Sequence, residues 1–338
     1  MNHVAVVGAG LSGLACARVL HEQGVQVRVF DKARGSGGRM STRRAGELRF
    51  DHGAQYFTAR DPRFADQVLA WEAAGVVARW HGRIAVLARG ETAAKNDATT
   101  RYVGVPGMNA PCKHLATGME VLLETRIDAV HREADRWRLD AEGGRDLGTY
   151  DAVVVSAPAP QTATLLADAA PELARLAAET PMAPCWAALA AFPHALPLDF
   201  DGAFVHDAPL SWVARNGSKP GRPAPETWIL HASPAWSENH LELDPDTVSR
   251  QLLAAFEEAA GIPLPEPVYR AAHRWRYALP HEARSETCLF DADLRLAVCG
   301  DWCNGPQVEG AFLSGRAAAE RLLSPRTRPA SSILSPDA

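Results

Sequence analysis

A glycine-rich turn between a short apolar strand and a helix is the feature that most constrains the fold of this chain. The strand predicted at 3–7 runs into Gly8-Ala9-Gly10-Leu11-Ser12-Gly13, and a helix at 12–23 and a second strand at 25–30 follow. Gly8 permits the tight turn, Gly10 lets the backbone approach a diphosphate, and Gly13 lets the helix pack closely on the strand. Asp31 ends the second strand, 21 residues after Gly10, where its carboxylate can accept hydrogen bonds from a ribose diol. The sequence therefore predicts a β-α-β unit that binds a dinucleotide, with the diphosphate at the helix N-terminus.

Two further segments indicate which dinucleotide the unit binds. Gly37-Gly38-Arg39-Met40 follows Asp31 closely, so the chain can pass near the cofactor while Arg39 neutralises a diphosphate or lies on an adenine. Much later, Gly300-Asp301 precedes Glu309-Gly310-Ala311 and a helix predicted over 309–323. Asp301 can hold a ribityl hydroxyl, and the helix N-terminus can face the N1/C2=O edge of a flavin, where negative charge develops on reduction. Because a domain for NAD alone needs no such distant return of the chain, the pattern favours FAD.

Composition excludes several other classes of protein. Of the 338 residues, 47% are hydrophobic and 22% are charged, which is typical of a globular chain of about two domains. These proportions exclude a collagen, a disordered chain and a disulfide miniprotein. The net charge of −5 provides no basic surface for nucleic acid or for an anionic membrane, so neither is expected as a partner.

Three observations predict the compartment. The nearly uncharged run 4–20 has no Lys or Arg before it and carries the nucleotide-binding glycines, which argues against a signal peptide. The longest apolar run, near 185–192, is too short to span a bilayer. The six cysteines have neither metal-site nor redox-pair spacing. We therefore expect a soluble cytoplasmic protein with reduced thiols and no metal site.

Longer motifs point to a known group of flavoproteins. The informative segments are Asp31-Lys32-Ala33-Arg34-Gly35-Ser36-Gly37-Gly38-Arg39-Met40, Asp51-His52-Gly53-Ala54-Gln55-Tyr56-Phe57-Thr58, Val103-Gly104-Val105-Pro106-Gly107-Met108, Ser218-Lys219-Pro220-Gly221-Arg222 and Trp275-Arg276-Tyr277-Ala278. On these segments the chain resembles the flavin-dependent amine oxidase superfamily over residues 1–322, and within it the renalase group. One departure is Asp31, because many FAD domains of the superfamily have Glu at this position.

The resemblance implies an α/β architecture of two entwined parts. A glutathione-reductase-like, FAD-binding Rossmann domain is expected at 1–60, 100–160 and 272–323. An interleaved α+β substrate domain with a mostly antiparallel sheet is expected at 61–99 and 161–271. Within the FAD-binding domain, the sequence pattern predicts strands at 120–130 and 136–141 that pair as a hairpin. Residues 324–338, rich in Pro, Ser and Arg, are predicted to be a disordered tail.

The same resemblance implies a set of residues that contact a non-covalently bound FAD. The expected contacts are Gly8, Gly10, Ser12, Gly13, Asp31, Lys32, Gly38, Arg39, Gln55, Tyr56, Ile127, Asp301, Glu309, Gly310 and Ala311. The backbone around Ile127 is expected on the adenine side of the cofactor. Asp301 and the segment 309–311 are expected near the ribityl chain and the isoalloxazine.

The activity implied by the resemblance is oxidation of aberrant dihydronicotinamides. Renalases oxidise the 2- and 6-dihydro isomers of NAD(P) to NAD(P)⁺, with hydride transfer to flavin N5 and reoxidation by dioxygen to hydrogen peroxide. Hydride loss from a dihydropyridine yields an aromatic pyridinium directly, so no general base is required. The expected partners are accordingly a dihydronicotinamide dinucleotide and dioxygen.

Two alternatives remain at this point. The first is an amine or polyamine oxidase of the same superfamily, which usually places a lysine near flavin N5. The sequence has four lysines, Lys32, Lys95, Lys113 and Lys219, and none lies on a predicted strand suited to that role. The second alternative is a flavin-bound binding module without catalysis.

Residues on the substrate side are predicted from type and position. Tyr56 follows the glutamine expected at the flavin, and His231 ends a predicted strand and can hydrogen-bond a carboxamide or a phosphate. Trp212 can stack on a nicotinamide, and Arg215 can pair with substrate phosphates. Trp236, Trp275 and Arg222 are further candidates, although tryptophans on strands commonly belong to the core and arginines to the surface.

Overall fold

The computed structural model describes residues 1–95 and 97–325. The strands in this part of the chain are β1 (His3–Val7), β2 (Gln26–Phe30), β3 (Thr42–Ala45), β4 (Leu48–Asp51), β5 (Val77–Arg79), β6 (Ile84–Ala88), β7 (Glu91–Ala94), β8 (Tyr102–Gly104), β9 (Glu120–Leu122), β10 (Ile127–Glu133), β11 (Arg136–Ala141), β12 (Arg145–Tyr150), β13 (Ala152–Val155), β14 (Met182–Phe192), β15 (Gly202–His206), β16 (Leu210–Arg215), β17 (Glu226–Ala232), β18 (Tyr269–Pro280), β19 (Leu289–Asp291) and β20 (Leu296–Val298). The α-helices are α1 (Leu11–Glu22), α2 (Pro62–Ala73), α3 (Ala110–Ala116), α4 (Ala159–Leu166), α5 (Pro171–Ala178), α6 (Pro234–Asn239), α7 (Pro245–Ala260), α8 (Asp301–Asn304) and α9 (Val308–Leu323).

A six-stranded sheet carries the predicted dinucleotide-binding unit. Its order is β19-β20-β13-β1-β2-β9, and every neighbouring pair is parallel except β19 with β20. Every residue of β13 is buried, as expected for a parallel strand covered on both faces. Strands from the first 30 residues and from 296–298 thus lie in one sheet, and the predicted α/β fold is confirmed.

Helices α1 and α9 pack together at unusually short range. A Cβ built on Gly315 of α9 would lie 2.0 Å from the carbonyl oxygen of Ser12 on α1. Only a glycine permits this approach, because real Cβ atoms do not come within 3.0 Å of another heavy atom. The helix that follows the glycine-rich turn is therefore fixed against a helix almost 300 residues later in the sequence.

A second, seven-stranded sheet has the order β18-β14-β17-β16-β15-β6-β7. Its pairs are antiparallel except β15 with β6, in agreement with the mostly antiparallel sheet that was predicted. One face is covered by α7, whose apolar side chains join a core with Trp228. The opposite face carries Trp212 and Ala214, which belong to the same buried cluster as residues of α1 and α9.

Some sequence predictions differ from these elements. The strand predicted at 120–130 is two strands, because the chain turns at Glu124, whose φ is +51°, and only β10 pairs with β11. β9 instead extends the parallel sheet beside β2. β18 crosses the expected domain boundary at 272, and the division into domains stays a prediction. The predicted tail lies outside the described residues from residue 326 onward.

Candidate active site

The carboxylate of Asp31 fixes the glycine-rich turn. Its Oδ2 accepts a hydrogen bond from the backbone N–H of Ala9 at 2.6 Å, and its Oδ1 accepts one from Ala33 at 2.8 Å. The N–H of Gly8 donates to the carbonyl of Phe30 at 2.7 Å, which holds the turn against the end of β2. Asp31 lies beside the first cofactor glycines, as predicted, and it also has a structural role there.

The three glycines of the turn meet different surroundings. A Cβ on Gly8 would lie 2.5 Å from the carbonyl oxygen of Ser156, and one on Gly13 would lie 2.1 Å from that of Gly8. Gly10 has ordinary backbone angles and nothing within 4 Å of its Cβ position. No side chain among the described residues caps the N-terminus of α1. Open space beside uncapped helical N–H groups fits a bound diphosphate.

The second glycine-rich loop lies against the first. The N–H of Gly37 donates to the carbonyl of Ala9 at 2.9 Å, and Gly37 and Gly38 have φ of 132° and 53°. Both angles lie in the region that favours glycine. The two loops that sequence reasoning assigned to the cofactor are therefore neighbours in the fold.

Arg39 and Asp301 contact each other across 262 positions of sequence. The two guanidinium nitrogens of Arg39 lie 2.7 and 2.6 Å from the two carboxylate oxygens of Asp301, and Nη1 also donates to the carbonyl of Ala278. The sequence predicted separate roles, on a diphosphate or adenine for Arg39 and on a ribityl hydroxyl for Asp301. The structure gives both side chains a bidentate ion pair instead, which joins the N-terminal and C-terminal cofactor motifs.

The start of α9 is arranged differently from the prediction. Oε2 of Glu309 accepts hydrogen bonds from the backbone N–H groups of Arg60 and Asp61, at 2.6 and 3.2 Å, so its carboxylate orders that loop. Gly310 packs against the carbonyl of Gly305, where a Cβ would lie 2.3 Å away. No side chain in the described chain caps α9, and the N–H of Ala311 makes the first helical hydrogen bond, to the carbonyl of Gln307 at 3.0 Å. The N–H groups of 308–310 precede that bond and are available to another acceptor.

The chain near Ile127 passes beside Asp31. Asp31 donates its N–H to the carbonyl of Leu122 and accepts a hydrogen bond at its own carbonyl from Thr125, both at 2.9 Å. Ile127 itself packs at the edge of a buried apolar cluster. Lys32 donates to Oε1 of Gln161 at 3.3 Å on the exposed side of the same region. Asp31, Lys32 and the chain leading to Ile127, all of which were predicted to contact FAD, thus lie around the end of β2.

The side chain of Gln55 is turned into the protein. Its Nε2 donates to the carbonyls of Asp51 and Gly53, and its Oε1 accepts a hydrogen bond from Nζ of Lys219 at 3.0 Å. The side chain of Gln55 therefore stabilises the conformation of the segment between Asp51 and Tyr56 from its buried side. Any contact of this residue with the cofactor is left to its backbone.

A buried ionic cluster supports that segment. The Asp51 carboxylate accepts hydrogen bonds from Thr42, the N–H of Met108 and both Nε and Nη2 of Arg222, and Nζ of Lys219 lies 3.7 Å away. Burial alone raises the pKa of Asp51, but the charges of Lys219 and Arg222 outweigh burial and hold it below its ordinary value. Burial lowers the pKa of Lys219 to about 8.

Sequence reasoning missed this role of Lys219 and Arg222. Lys219 was placed in a loop and set aside, and Arg222 was offered as a phosphate ligand. The side chains of Asp51 and Lys219 have no exposed surface, and that of Arg222 is 1% exposed, so Arg222 is committed to Asp51. No local sequence signal identified this role, because the fold alone brings Lys219 and Arg222 to Asp51.

Imidazole and indole rings form a second cluster beside the segment. The ring of His52 stacks on Trp275, with centroids 5.0 Å apart, and meets His273 edge-on at 4.7 Å. The carbonyl of His52 accepts hydrogen bonds from Nε1 of Trp275 and from Nε2 of His231. Burial lowers the pKa of His52 to about 3 and the pKa values of His231 and His273 to about 4, so these rings are neutral near pH 7.

Cross-strand pairing places the substrate-side candidates on one face of the seven-stranded sheet. Phe204, Trp212, His231, Ala187 and His273 pair successively across β15, β16, β17, β14 and β18 and therefore share one face. Tyr56 lies against this row, with its ring 5.5 Å from that of Trp212. The predicted residues Tyr56, Trp212 and His231 are thus brought together, and Trp275 lies close by.

Arg215 is separated from them, which corrects its predicted role. It lies three positions after Trp212 on β16, so its side chain points to the opposite face. There it pairs with Glu226 at 3.1 Å and lies over Trp228. Trp236 stacks on His240 and packs at the edge of the same core under α7, away from the row.

Two sequence families match this chain. Residues 6–69 match the NAD(P)-binding Rossmann-like domain, and residues 81–323 match the flavin containing amine oxidoreductase family. A curated relative is renalase from Mus musculus, which is 23% identical over 308 residues, covering 82% of this chain and 85% of the mouse protein. In the described residues no helix is both long and apolar enough to cross a membrane.

Solved structures share the fold. Cyclohexylamine oxidase from Brevibacterium oxydans IH-35A superposes with a TM-score of 0.76 at 14% identity, covering 95% of this chain and 98% of the oxidase. A putrescine oxidase bound to putrescine has a TM-score of 0.71 at 14% identity, covering 94% and 98%. The flavin family and the dinucleotide fold together identify the cofactor as FAD, held by an oxidoreductase scaffold. The second family match extends over more than half of the chain, which therefore belongs to the flavin containing amine oxidoreductase family and is renalase-like within it.

Proposed function

We propose that the protein is an oxidase of the 2- and 6-dihydro isomers of NAD(P), which it converts to NAD(P)⁺. A bound flavin supplies the hydride acceptor and then passes the electron pair to dioxygen. One dihydronicotinamide, one dioxygen and one proton balance one NAD(P)⁺ and one hydrogen peroxide. The similarity to renalase supports this choice among the reactions of the family.

The observation that carries the proposal is the neutral aromatic surface between Tyr56 and the sheet. Trp212 and His231 lie side by side on that face, and His231 is a neutral donor because its Nε2 binds the carbonyl of His52. Removing hydride from a dihydropyridine requires a flat ring held in position, and it requires no proton acceptor. Flat side chains with a neutral histidine suit that task.

Amine oxidation is the second candidate because of Lys219. Although this residue lies in a loop, it is fully buried and contacts Gln55 of the segment that carries Tyr56. A buried lysine beside the flavin-binding segment is the feature that sequence reasoning did not find. Its lowered pKa and its hydrogen bonds to Gln55 and Asn216 are compatible with either reaction.

Anaerobic mixing of the yellow holoenzyme with candidate reductants distinguishes these reactions. We expect 6-dihydroNAD and 2-dihydroNAD to bleach the flavin band, and admission of air to restore it with formation of peroxide. Cyclohexylamine and putrescine serve as amine probes. Bleaching by an amine with none by either isomer would replace the proposal with amine oxidation, and no bleaching by any of the four would favour a binding module.

A cytoplasmic location remains a prediction.

A further inference from the structure

Six side chains form a closed ring of contacts next to the sheet row. In order around the ring they are Tyr56, Trp212, Phe204, Lys95, Asp97 and Arg101. We call them the six-residue ring. Half of it is aromatic and half is charged, and its members come from β15, β16 and separate loops. Neither sequence reasoning nor the family motifs assign a role to its charged half.

The charged half contains two cations that converge on one carboxylate. Nη1 and Nη2 of Arg101 each lie 3.0 Å from an oxygen of Asp97, and Nζ of Lys95 lies 3.6 Å from Oδ2. The Arg101 side chain is only 8% exposed, whereas that of Asp97 is 28% exposed. Two positive charges thus face one negative charge, and one positive charge remains for a ligand.

The aromatic half connects these cations to the substrate side. The guanidinium of Arg101 lies 5.3 Å from the ring centre of Tyr56, and Nζ of Lys95 lies 5.4 Å from that of Phe204. Trp212 closes the ring, at 5.5 Å from Tyr56 and 4.8 Å from Phe204. Lys95 and Arg101 therefore directly contact aromatic side chains of the surface on which we place the substrate.

Asp97 occupies the position that an anionic ligand would take. Its hydrogen bonds with Arg101 lower its pKa to about 2, so it is ionised at neutral pH. Two cations that share a single carboxylate oxygen present the geometry for a group with several negatively charged oxygens. An ammonium group would gain Asp97 and be repelled by Lys95 and Arg101, so the net charge disfavours amines here.

We propose that the six-residue ring binds the diphosphate of the dinucleotide substrate, with Lys95 and Arg101 contacting its oxygens in place of Asp97. Tyr56 and Trp212 then lie beside the nicotinamide. This inference rests on the proposed function, because it names how that substrate is recognised. It makes Lys95 and Arg101 specificity residues, and Asp97 an internal competitor of the substrate.

The test measures binding of ADP-ribose, which has the diphosphate but no nicotinamide, to the FAD-loaded enzyme by calorimetry. Arg101→Gln is expected to weaken binding about tenfold or more, and Lys95→Gln to weaken it less, because forked contacts to charged oxygens are the stronger ones. Asp97→Asn is expected to tighten binding, since it removes the competing carboxylate. The matched controls are Arg89→Gln and Asp207→Asn, a pair whose side chains are 85% and 59% exposed, and both should bind as the parent does.

Two outcomes would overturn the proposal. The first is equal affinity of the Arg101→Gln and Arg89→Gln variants. The second is weaker binding by Asp97→Asn, which would mean that the ion pair of Asp97 with Arg101 is purely structural. This measurement tests the proposal even if Arg101→Gln does not fold. N-methyl-6-dihydronicotinamide, which has no phosphate, separates this inference from the proposed function. We expect it to bleach the flavin of the parent enzyme, whereas failure to bleach would count against the proposed function while the ADP-ribose result stands.

Discussion

The ammonium group of Lys219 donates a hydrogen bond to the amide oxygen of Gln55 at 3.0 Å, across 164 positions of sequence. Through this contact a loop after β16 supports the segment that precedes Tyr56. Replacing Lys219 with Met keeps most of the volume but leaves the Gln55 oxygen without its buried donor. Because a buried unpaired polar group costs about 1–3 kcal/mol, we expect the free energy of unfolding to fall by about that amount.

Urea unfolding of the flavin-loaded protein measures the effect of Lys219→Met. Lys113→Met is the control, because Lys113 is exposed on α3 and its replacement should change stability by less than about 0.5 kcal/mol. If the two variants unfold at the same urea concentration, Lys219 does not support Gln55 energetically.

Gly10 and Gly13 should respond differently to a single added methyl group. Gly10→Ala places its Cβ in open space with an allowed φ of −76°, so the fold is expected to survive while retention of FAD drops. Gly13→Ala drives its Cβ to 2.1 Å from the carbonyl of Gly8, and we expect loss of stability of about 1–3 kcal/mol or more. The flavin-to-protein absorbance ratio after gel filtration and the thermal midpoint of the apoprotein separate the two effects. Gly35→Ala, also in open space, is the control, and full flavin retention by Gly10→Ala would show that this space is not used by the cofactor.

Asp31 is expected to matter for both the turn and the cofactor. Asp31→Ala removes the acceptors of two backbone N–H groups and the partner of a ribose, so flavin retention should fall strongly, with Asp31→Asn intermediate. Asp151→Ala is a matched control, since Asp151 also accepts from two backbone N–H groups, those of Asn2 and His3, at the opposite end of β1. Both alanine variants should lose stability, and only Asp31→Ala should lose flavin. Equal flavin content in Asp31→Ala and Asp151→Ala would mean that Asp31 stabilises the turn but does not contact the cofactor.

The buried histidines predict a loss of stability in mild acid. The folded-state pKa of His231 is about 4 and that of His52 about 3, both below the usual 6.5, so the unfolded chain takes up protons first as pH falls. The stability is therefore fully present above pH 6.5 and is lost as pH falls from 6.5 toward 4. One such group changes the free energy of unfolding by up to about 1.4 kcal/mol per pH unit in this window.

Unfolding by urea between pH 4.5 and 7 tests this dependence. His231→Gln retains a donor for the carbonyl of His52 but cannot titrate, so its stability should fall less steeply than that of the parent. His194→Gln, at an exposed position, should keep the slope of the parent. Parallel slopes for the parent and His231→Gln would mean that His231 accepts a proton in the folded state as readily as in the unfolded chain.

Local patterns were sufficient to predict the dinucleotide unit. The apolar strands, the spacing from Gly8 to Gly13 and the acid at Asp31 all lie within one stretch of about 30 residues, and each has a local steric or hydrogen-bonding cause. The mostly antiparallel second sheet was instead predicted from the family resemblance. The return of the chain near Asp301 was also visible, because glycines before a helix are a local signal.

The contacts between distant side chains could not be predicted in this way. That Arg39 pairs with Asp301, and that Arg222 pairs with Asp51, depends on how separate segments are brought together. Arg215 was misassigned although Trp212 and Arg215 lie three positions apart on β16, because alternation along one strand puts such residues on opposite faces and the two could not both face the substrate. Each of these arginines was assigned a ligand as if its side chain were free. In the structure each pairs with a carboxylate from another segment, and these carboxylates are Asp301, Glu226 and Asp51.

The close contact between Gly315 and Ser12 has a consequence for how the protein is made. During synthesis β1 and α1 leave the ribosome long before the residues that complete their surroundings. The edge of β13 stays unpaired until 296–298 form β20 beside it, and one flank of α1 stays uncovered until α9 exists. We therefore expect the flavin to be bound only after α9 has been synthesised, and a chain halted before α9 to expose the apolar flank of α1.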